Sequence, residues 1–280
     1  MIRLIAGIQI LRPLNLVLCL IAILIAAFLI GELYSPLLPY TILVVISFAG
    51  ASNILNDILD VHIDKINRPE RVLPSGKLRI KETLLLMGCL YTVGIMSSIY
   101  LHPLGRQIAL ITVLPLLVLY TPLFKRLPFI GNLVVGVILG LVFLFTEVAI
   151  SGNTDKMWTP FFLAAGLSTI RELCKDSEDM VGDSTANLDT FPRKYGLIST
   201  LWLLRTLSIG LCFFSLIPWM NGSYGIAYLT SLVLCVQIPL LYSVFMVLSK
   251  HSGSSNYSQV AKILKGVTMA GMLVILMSAF

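Results

Sequence analysis

Asn56, Asp57, Asp60 and Asp64 form the series N-D-x-x-D-x-x-x-D at the end of an apolar stretch, and Glu172, Asp176, Asp179 and Asp183 form a second acidic series about 120 residues later, also at the end of an apolar stretch. On a helix, residues 56, 60 and 64 recur at i, i+4 and i+8 and share one face. Residues 172, 176, 179 and 183 likewise make a single stripe. An ionised carboxylate near hydrocarbon costs roughly 2.5–3.5 kcal/mol, and like charges on one face add repulsion. A divalent cation is the natural offset, and carboxylate and amide oxygens are the hard ligands that Mg²⁺ prefers. Two such stripes suit Mg²⁺ bridging to a polyphosphate. The expected metal ligands are Asn56, Asp57, Asp60, Asp64, Asp176, Asp179 and Asp183, and Asp60, Asp64, Asp179 and Asp183 are the expected catalytic carboxylates. The alternative for the first series is a set of helix-end acids paired with Lys65 and Arg68. Glu172 could act directly or pair with the adjacent Arg171; Glu178 lies off the stripe and is expected to be solvated.

Metal ions leave part of a diphosphate's charge uncompensated, so cations are expected nearby. Arg makes forked contacts to phosphate and Lys a point contact. Arg68 and Arg71 follow the first series, Lys125 follows Y-T-P-L-F beginning at Tyr120, Lys175 lies within the second series and Arg193 after it. With Asn56 and Tyr120, these are the expected substrate-binding residues. Basic residues in such loops also serve topology and attract anionic headgroups, which is the competing reading. His62, His102 and His251 have no metal-ligand spacing, and no G-x-S-x-G, H-E-x-x-H or phosphate-loop pattern is present.

The elements that must position these residues are membrane-crossing helices. The 280 residues are 57% hydrophobic and 12% charged, where soluble domains carry roughly 25% charge. Apolar runs long enough for a hydrocarbon core about 30 Å thick predict nine spans, at 14–33, 38–58, 82–101, 104–122, 129–150, 158–175, 199–219, 225–248 and 260–279. They leave no room for a separate soluble domain, so residues 1–280 read as one all-α polytopic membrane domain. The net charge of +6 does not indicate nucleic acid, because the cations collect in alternate loops. That bias predicts a cytoplasmic N-terminus and both acidic series opening on the cytoplasmic side of the cell membrane. The five cysteines are scattered and read as small packing residues.

Two connections, at about 60–81 and 176–196, are long, and both adjoin an acidic series; Pro69, Pro74 and Gly76 punctuate the first, so a helix through Asp64 should end before Pro69. Long loops on one face suggest a lid. Each half of the chain runs through two helices to an acidic end and a basic loop, a weak internal repeat. Glu147, alone in the fifth span, is expected to pair with a partner such as Arg205 or to line a cavity.

N-D-I-L-D-V-H-I-D-K-I-N-R-P-E-R-V-L-P-S-G resembles the first aspartate-rich motif and following loop of the UbiA superfamily of intramembrane prenyltransferases; K-D-S-E-D-M-V-G-D resembles its second motif, and L-R-P-L-N at 11–15 its N-terminal signature. The resemblance covers essentially the whole chain. It implies nine transmembrane helices around a central cavity and a prenyl diphosphate held through Mg²⁺ by Asn56, Asp60, Asp64, Asp176, Asp179 and Asp183. Within the superfamily, R-E-L-C-K-D-S-E-D-M-V-G-D-S and T-F-P-R-K-Y-G look most like the digeranylgeranylglyceryl phosphate synthases. That implies geranylgeranyl diphosphate as donor, the lipid-like geranylgeranylglyceryl phosphate as acceptor, and a role in ether-lipid synthesis. Val72 and Phe191 depart from the usual proline and leucine. The competing acceptors are an aromatic quinone precursor and chlorophyllide. A transporter using intramembrane acids fits less well, because these acids lie at helix ends rather than at the bilayer centre.

Overall fold

The computed structural model describes residues 2–180 and 188–280, which contain helices and no strand. The helices are α1 (Ile2–Ile10), α2 (Pro13–Ile30), α3 (Leu38–Leu59), α4 (Val61–Asn67), α5 (Ile80–Ser98), α6 (Pro103–Tyr120), α7 (Ile130–Ser151), α8 (Trp158–Glu178), α9 (Phe191–Met220), α10 (Ile226–Val247) and α11 (Ser254–Leu276). Among the described residues, eight helices are long and apolar enough to cross a membrane: α2, α3, α5, α6, α7, α9, α10 and α11. The ninth expected span forms as α8, which has the length, 21 residues, but carries Arg171, Glu172, Lys175, Asp176 and Glu178 in its last turns. The chain is an all-α, multi-pass membrane protein.

Local chemistry accounts for the irregularities. Pro115 and Pro239 lack an N–H and clash with the carbonyl four residues back. Each is preceded by a widened π turn, Ile108–Val113 and Val233–Gln237, the usual relief for such a clash. α9 starts earlier than the span predicted from residue 199, because residues 191–195 form a helical lead-in before Gly196, whose φ of +80° breaks the helix. α1 was not anticipated. It buries Ala6 and Ile10 with Ile54 of α3 and with Val72 and Leu73 of the loop after α4.

Two compact units result: Met1–Phe124 with Val142–Lys156, and Lys125–Leu141 with Met157–Phe280. Each contains one acidic series among its described residues. In the first unit Phe48 of α3 lies against Gly94 of α5, where an added Cβ would stand 2.5 Å from Phe48 Cδ1. In the second, Leu173, Cys174, Leu204, Tyr228, Tyr257 and Leu264 belong to one buried cluster drawn from α8 to α11. Glu147 anchors a turn. It is 2% exposed, and its Oε1 accepts the backbone N–H groups of Asp155 at 3.0 Å and Lys156 at 2.9 Å, tying down the turn after α7. Arg205 donates instead to the carbonyl of Leu248 at 3.2 Å and lies 5.0 Å from the Phe245 ring centre.

Candidate active site

The first acidic series straddles a break between α3 and α4. Asp60 terminates α3 with φ −91° and ψ 5°. Backbone hydrogen bonds nevertheless continue in steps of four, from Asp60 N–H to Asn56 O at 2.9 Å, Asp64 N–H to Asp60 O at 2.8 Å and Arg68 N–H to Asp64 O at 2.8 Å. The spacing expected from helical periodicity thus survives the break, and α4 ends at Asn67, before Pro69. His62, within the series, is exposed.

Asp57 and Asp64 are 4% and 5% exposed. Arg12 Nη2 donates to Asp57 Oδ1 at 2.5 Å, and Arg71 Nη1 lies 3.5 Å from the same oxygen. Arg71 Nη1 also donates to both oxygens of Asp64, at 2.8 and 2.7 Å. Arg71 reaches them because its neighbours Val72 and Leu73 are pinned in the cluster with α1 and Ile54. Gly76, at φ +73°, lets the chain turn back so that Lys77 N–H meets Val72 O at 3.1 Å. Asn56 Oδ1 accepts a hydrogen bond from Thr121, the neighbour of Tyr120. Burial pushes the Asp64 carboxyl above its ordinary value, with Asp57 and Asp60 adding to the rise and Arg71 opposing it.

Arg12 was missed as a site residue. It takes a left-handed backbone, φ 55° and ψ 66°, just before Pro13 starts α2, and Asn53 Nδ2 donates to the carbonyl of Leu11 at 3.0 Å. The L-R-P-L-N segment thus secures the α1–α2 junction to the first acidic helix. Arg12→Ala removes the shorter of Asp57's two arginine contacts. It is expected to cost about 1–3 kcal/mol, discounted because Arg71 remains. Thermal unfolding in detergent checks this, and Asp57→Asn should recover part of the loss; strictly additive effects of the two substitutions would contradict the pairing.

The helix carrying the second acidic series ends as the first does. Asp179 terminates α8 with φ −88° and ψ 6°, and its N–H donates to Lys175 O at 2.9 Å. Asp60 and Asp179 thus end their helices in the same way, with Asp57 and Asp176 each three residues earlier. Asp176 Oδ2 accepts from Asn132 Nδ2 at 2.7 Å. Asn132 was not anticipated; its signal is a lone amide one turn before G-x-x-x-G at 136–140, within an apolar stretch. At Gly136 and Gly140 an added Cβ would lie 2.5 Å from the carbonyls of Ala165 and Phe161. These glycines let α7 and α8 touch, which brings Asn132 to Asp176.

Glu172 pairs with Arg171 Nη1 at 3.1 Å and Lys175 Nζ at 2.7 Å. Glu178, expected to be solvated, instead docks at the start of α11: Ser258 Oγ donates to its Oε1 at 2.9 Å and Ser254 Oγ to its carbonyl at 2.9 Å. A carboxylate there meets the positive end of the α11 dipole. Arg193, on the first turn of α9, donates to Leu188 O at 2.7 Å, and Lys125 sits in a short 3₁₀ turn, Phe124–Arg126. Asp183 lies outside the described residues.

In the first unit the structure therefore assembles Asn56, Asp57, Asp60, Asp64 and Arg71, with Arg68 and Tyr120 adjoining in sequence. In the second it assembles Lys175, Asp176 and Asp179 with Asn132. Among the described residues no three of His, Cys, Asp and Glu converge into a metal-binding group. The expected ligand set draws on both units and includes Asn56 and Asp183. Its donors are all hard oxygens, the ligand type that Mg²⁺ takes, so the residues fit it.

The chain matches the UbiA prenyltransferase family over residues 15–265. It is similar to the digeranylgeranylglyceryl phosphate synthase of Methanosphaera stadtmanae, 31% identical over 271 residues covering 97% of this chain and 96% of that one. A solved structure described as giving insights into digeranylgeranylglyceryl phosphate synthase in membranes superposes with a TM-score of 0.75 at 29% identity, covering 100% of this chain and 99% of the other. A UbiA homolog from Archaeoglobus fulgidus, solved bound to DMAPP and Mg²⁺, shares the fold with a TM-score of 0.68 at 15% identity over 96% of this chain and 98% of that one. A family match across nearly the whole length, on a helical membrane fold with an acidic helix end in each unit, makes this protein an intramembrane prenyltransferase belonging to the UbiA prenyltransferase family.

Proposed function

We propose that the protein transfers a geranylgeranyl group from its diphosphate to the free hydroxyl of geranylgeranylglyceryl phosphate, with Mg²⁺, at the cytoplasmic side of the cell membrane. The observation carrying this reading is that each unit ends one helix in an aspartate, Asp60 and Asp179, in a chain whose relatives bear the name of that synthase. Asn56, Asp60 and Asp64 from one end, and Asp179 and Asp183 from the other, would hold the metal against one diphosphate. Bound there, Mg²⁺ supplies the positive charge that the leaving diphosphate needs.

Asp57 and Asp176 hold those ends in place through Arg12, Arg71 and Asn132. Arg68, Arg71 and Lys125 supply further cations to the diphosphate. Apolar helix faces around a central cavity take the prenyl chain and exclude water from C1. The acceptor hydroxyl attacks C1 as its bond to the diphosphate oxygen breaks, and the hydroxyl proton passes to the departing diphosphate. The alternation of basic loops supports a cytoplasmic N-terminus, with residues 1–280 serving a single activity.

The test is a product assay on protein purified in detergent, with Mg²⁺ and labelled geranylgeranyl diphosphate. Geranylgeranylglyceryl phosphate, 4-hydroxybenzoate, a naphthoate and chlorophyllide are offered in parallel. Product with the glyceryl phosphate alone is the expected result. Product with a ring acceptor alone would overturn the choice of acceptor while keeping the family.

A further inference from the structure

Arg205 is a cation set among membrane-embedded helices of the second unit with no acid to meet it. It lies on α9, more than two turns beyond the break at Gly196, and its Nη2 donates to the carbonyl of Leu248 at 3.2 Å. Leu248 is where the chain leaves α10: a π turn, Ser243–Val247, ends there and the backbone becomes extended, with φ −92° and ψ 131°. Two rings lie against the guanidinium, Phe245 of α10 at 5.0 Å and Trp202, one turn earlier on α9, at 5.7 Å. Both rings are exposed, as is Met246 beside Phe245. Lys250, two residues beyond Leu248, is exposed as well.

These contacts leave the charge largely unmatched. A helix C-terminus offers roughly half a negative charge, and among the described residues Arg205 forms no ion pair with a carboxylate. Its Nε is buried without a hydrogen-bond partner. An arginine that only capped α10 would explain the bond to Leu248, which uses one of five N–H donors. It would not explain the second cation at the same helix end, nor the exposed rings around the first. Aromatic rings sit at the headgroup level of a bilayer, and basic pockets between membrane helices take anionic headgroups. A phosphodiester brings one negative charge and oxygens that an arginine contacts in a fork.

We propose that Arg205 and Lys250, framed by Trp202 and Phe245, bind the phosphodiester headgroup of an anionic membrane phospholipid where α9 passes the end of α10. Arg205 supplies the forked contact and Lys250 a point charge, while the two rings fix the guanidinium and border the acyl chains. The bound lipid ties α9 to the end of α10 alongside the Arg205–Leu248 bond, so it stabilises this unit. The site lies within the second unit and does not depend on the proposed reaction.

The experiment titrates the detergent-purified protein with phosphatidylglycerol and with phosphatidylcholine of the same acyl chains. Native mass spectrometry reads the lipid retained, and thermal unfolding reads the midpoint, for the wild type, Arg205→Gln, Arg205→Lys and Lys250→Gln, each against its own lipid-free baseline. The wild type should hold phosphatidylglycerol roughly tenfold or more tightly than phosphatidylcholine and be stabilised by it. Lys250→Gln should lower that preference by about fivefold and Arg205→Gln by at least as much, while Arg205→Lys keeps most of it. Lys250 is exposed, so its variant decides the matter if Arg205→Gln does not fold. Equal retention of the two lipids by the wild type would overturn the site, as would an undiminished preference in Lys250→Gln. A lower lipid-free midpoint in Arg205→Gln with the preference intact would reduce the arginine to a helix cap. Equal stabilisation by inorganic phosphate would give the two cations to a free anion and overturn the headgroup assignment.

Discussion

Asp60→Asn and Asp179→Asn are each expected to lower turnover by roughly 10²–10³-fold while leaving the protein folded. The two carboxylates end their helices with nearly identical backbone angles. Asn has the same shape and tolerates those angles, so the substitution removes charge and little else. What is lost is the carboxylate's share in holding cationic charge at the leaving diphosphate, and one such electrostatic contribution is worth about 3–4 kcal/mol in a site shielded from water. Labelled product formation measures the first effect and thermal unfolding in detergent the second. Wild-type turnover in both variants would contradict the metal-site reading. Loss in one only would confine the chemistry to a single unit.

The second large effect is on packing. Gly136→Ala and Gly140→Ala place a methyl about 2.5 Å from the backbone carbonyls of Ala165 and Phe161, respectively. Backbone atoms cannot rotate away as a side chain can, so α7 and α8 must separate, at a cost of about 1–3 kcal/mol for each substitution. Gly210→Ala in α9 is the control, because nothing lies within 4 Å of its added Cβ; it should leave stability unchanged or raise it slightly. The thermal midpoint should drop for the first two and not for the third. Separation also draws Asn132 away from Asp176, so activity at a temperature where the variants remain folded should fall as well. A Gly136→Ala protein as stable and active as Gly210→Ala would show that the close approach does not position the site.

Local periodicity made much of this legible. The i, i+4 spacing of Asn56, Asp60 and Asp64 predicted a shared helical run, and the backbone hydrogen bonds follow those same steps even though Asp60 breaks the helix. Pro69 marked the end of α4, and the apolar runs marked the spans. What stayed hidden depends on pairing between distant residues. Arg12 meets Asp57 across 45 positions and Asn132 meets Asp176 across 44, separations at which spacing carries no signal. Glu147 was expected to pair with a partner such as Arg205 or to line a cavity; two backbone amides eight and nine residues on meet its Oε1. α8 fell short as an apolar span because Arg171, Glu172, Lys175, Asp176 and Glu178 occupy its last turns.

The central claim is that both acidic helix ends act on one diphosphate through Mg²⁺. Its most direct test is the binding of geranylgeranyl thiolodiphosphate, which resists transfer, to the wild type, Asp60→Asn and Asp179→Asn, with and without Mg²⁺. Mg²⁺-dependent binding to the wild type is expected, with both variants weakened by roughly tenfold or more. Undiminished Mg²⁺-dependent binding in either variant would contradict it, because one helix end would then suffice to hold the substrate.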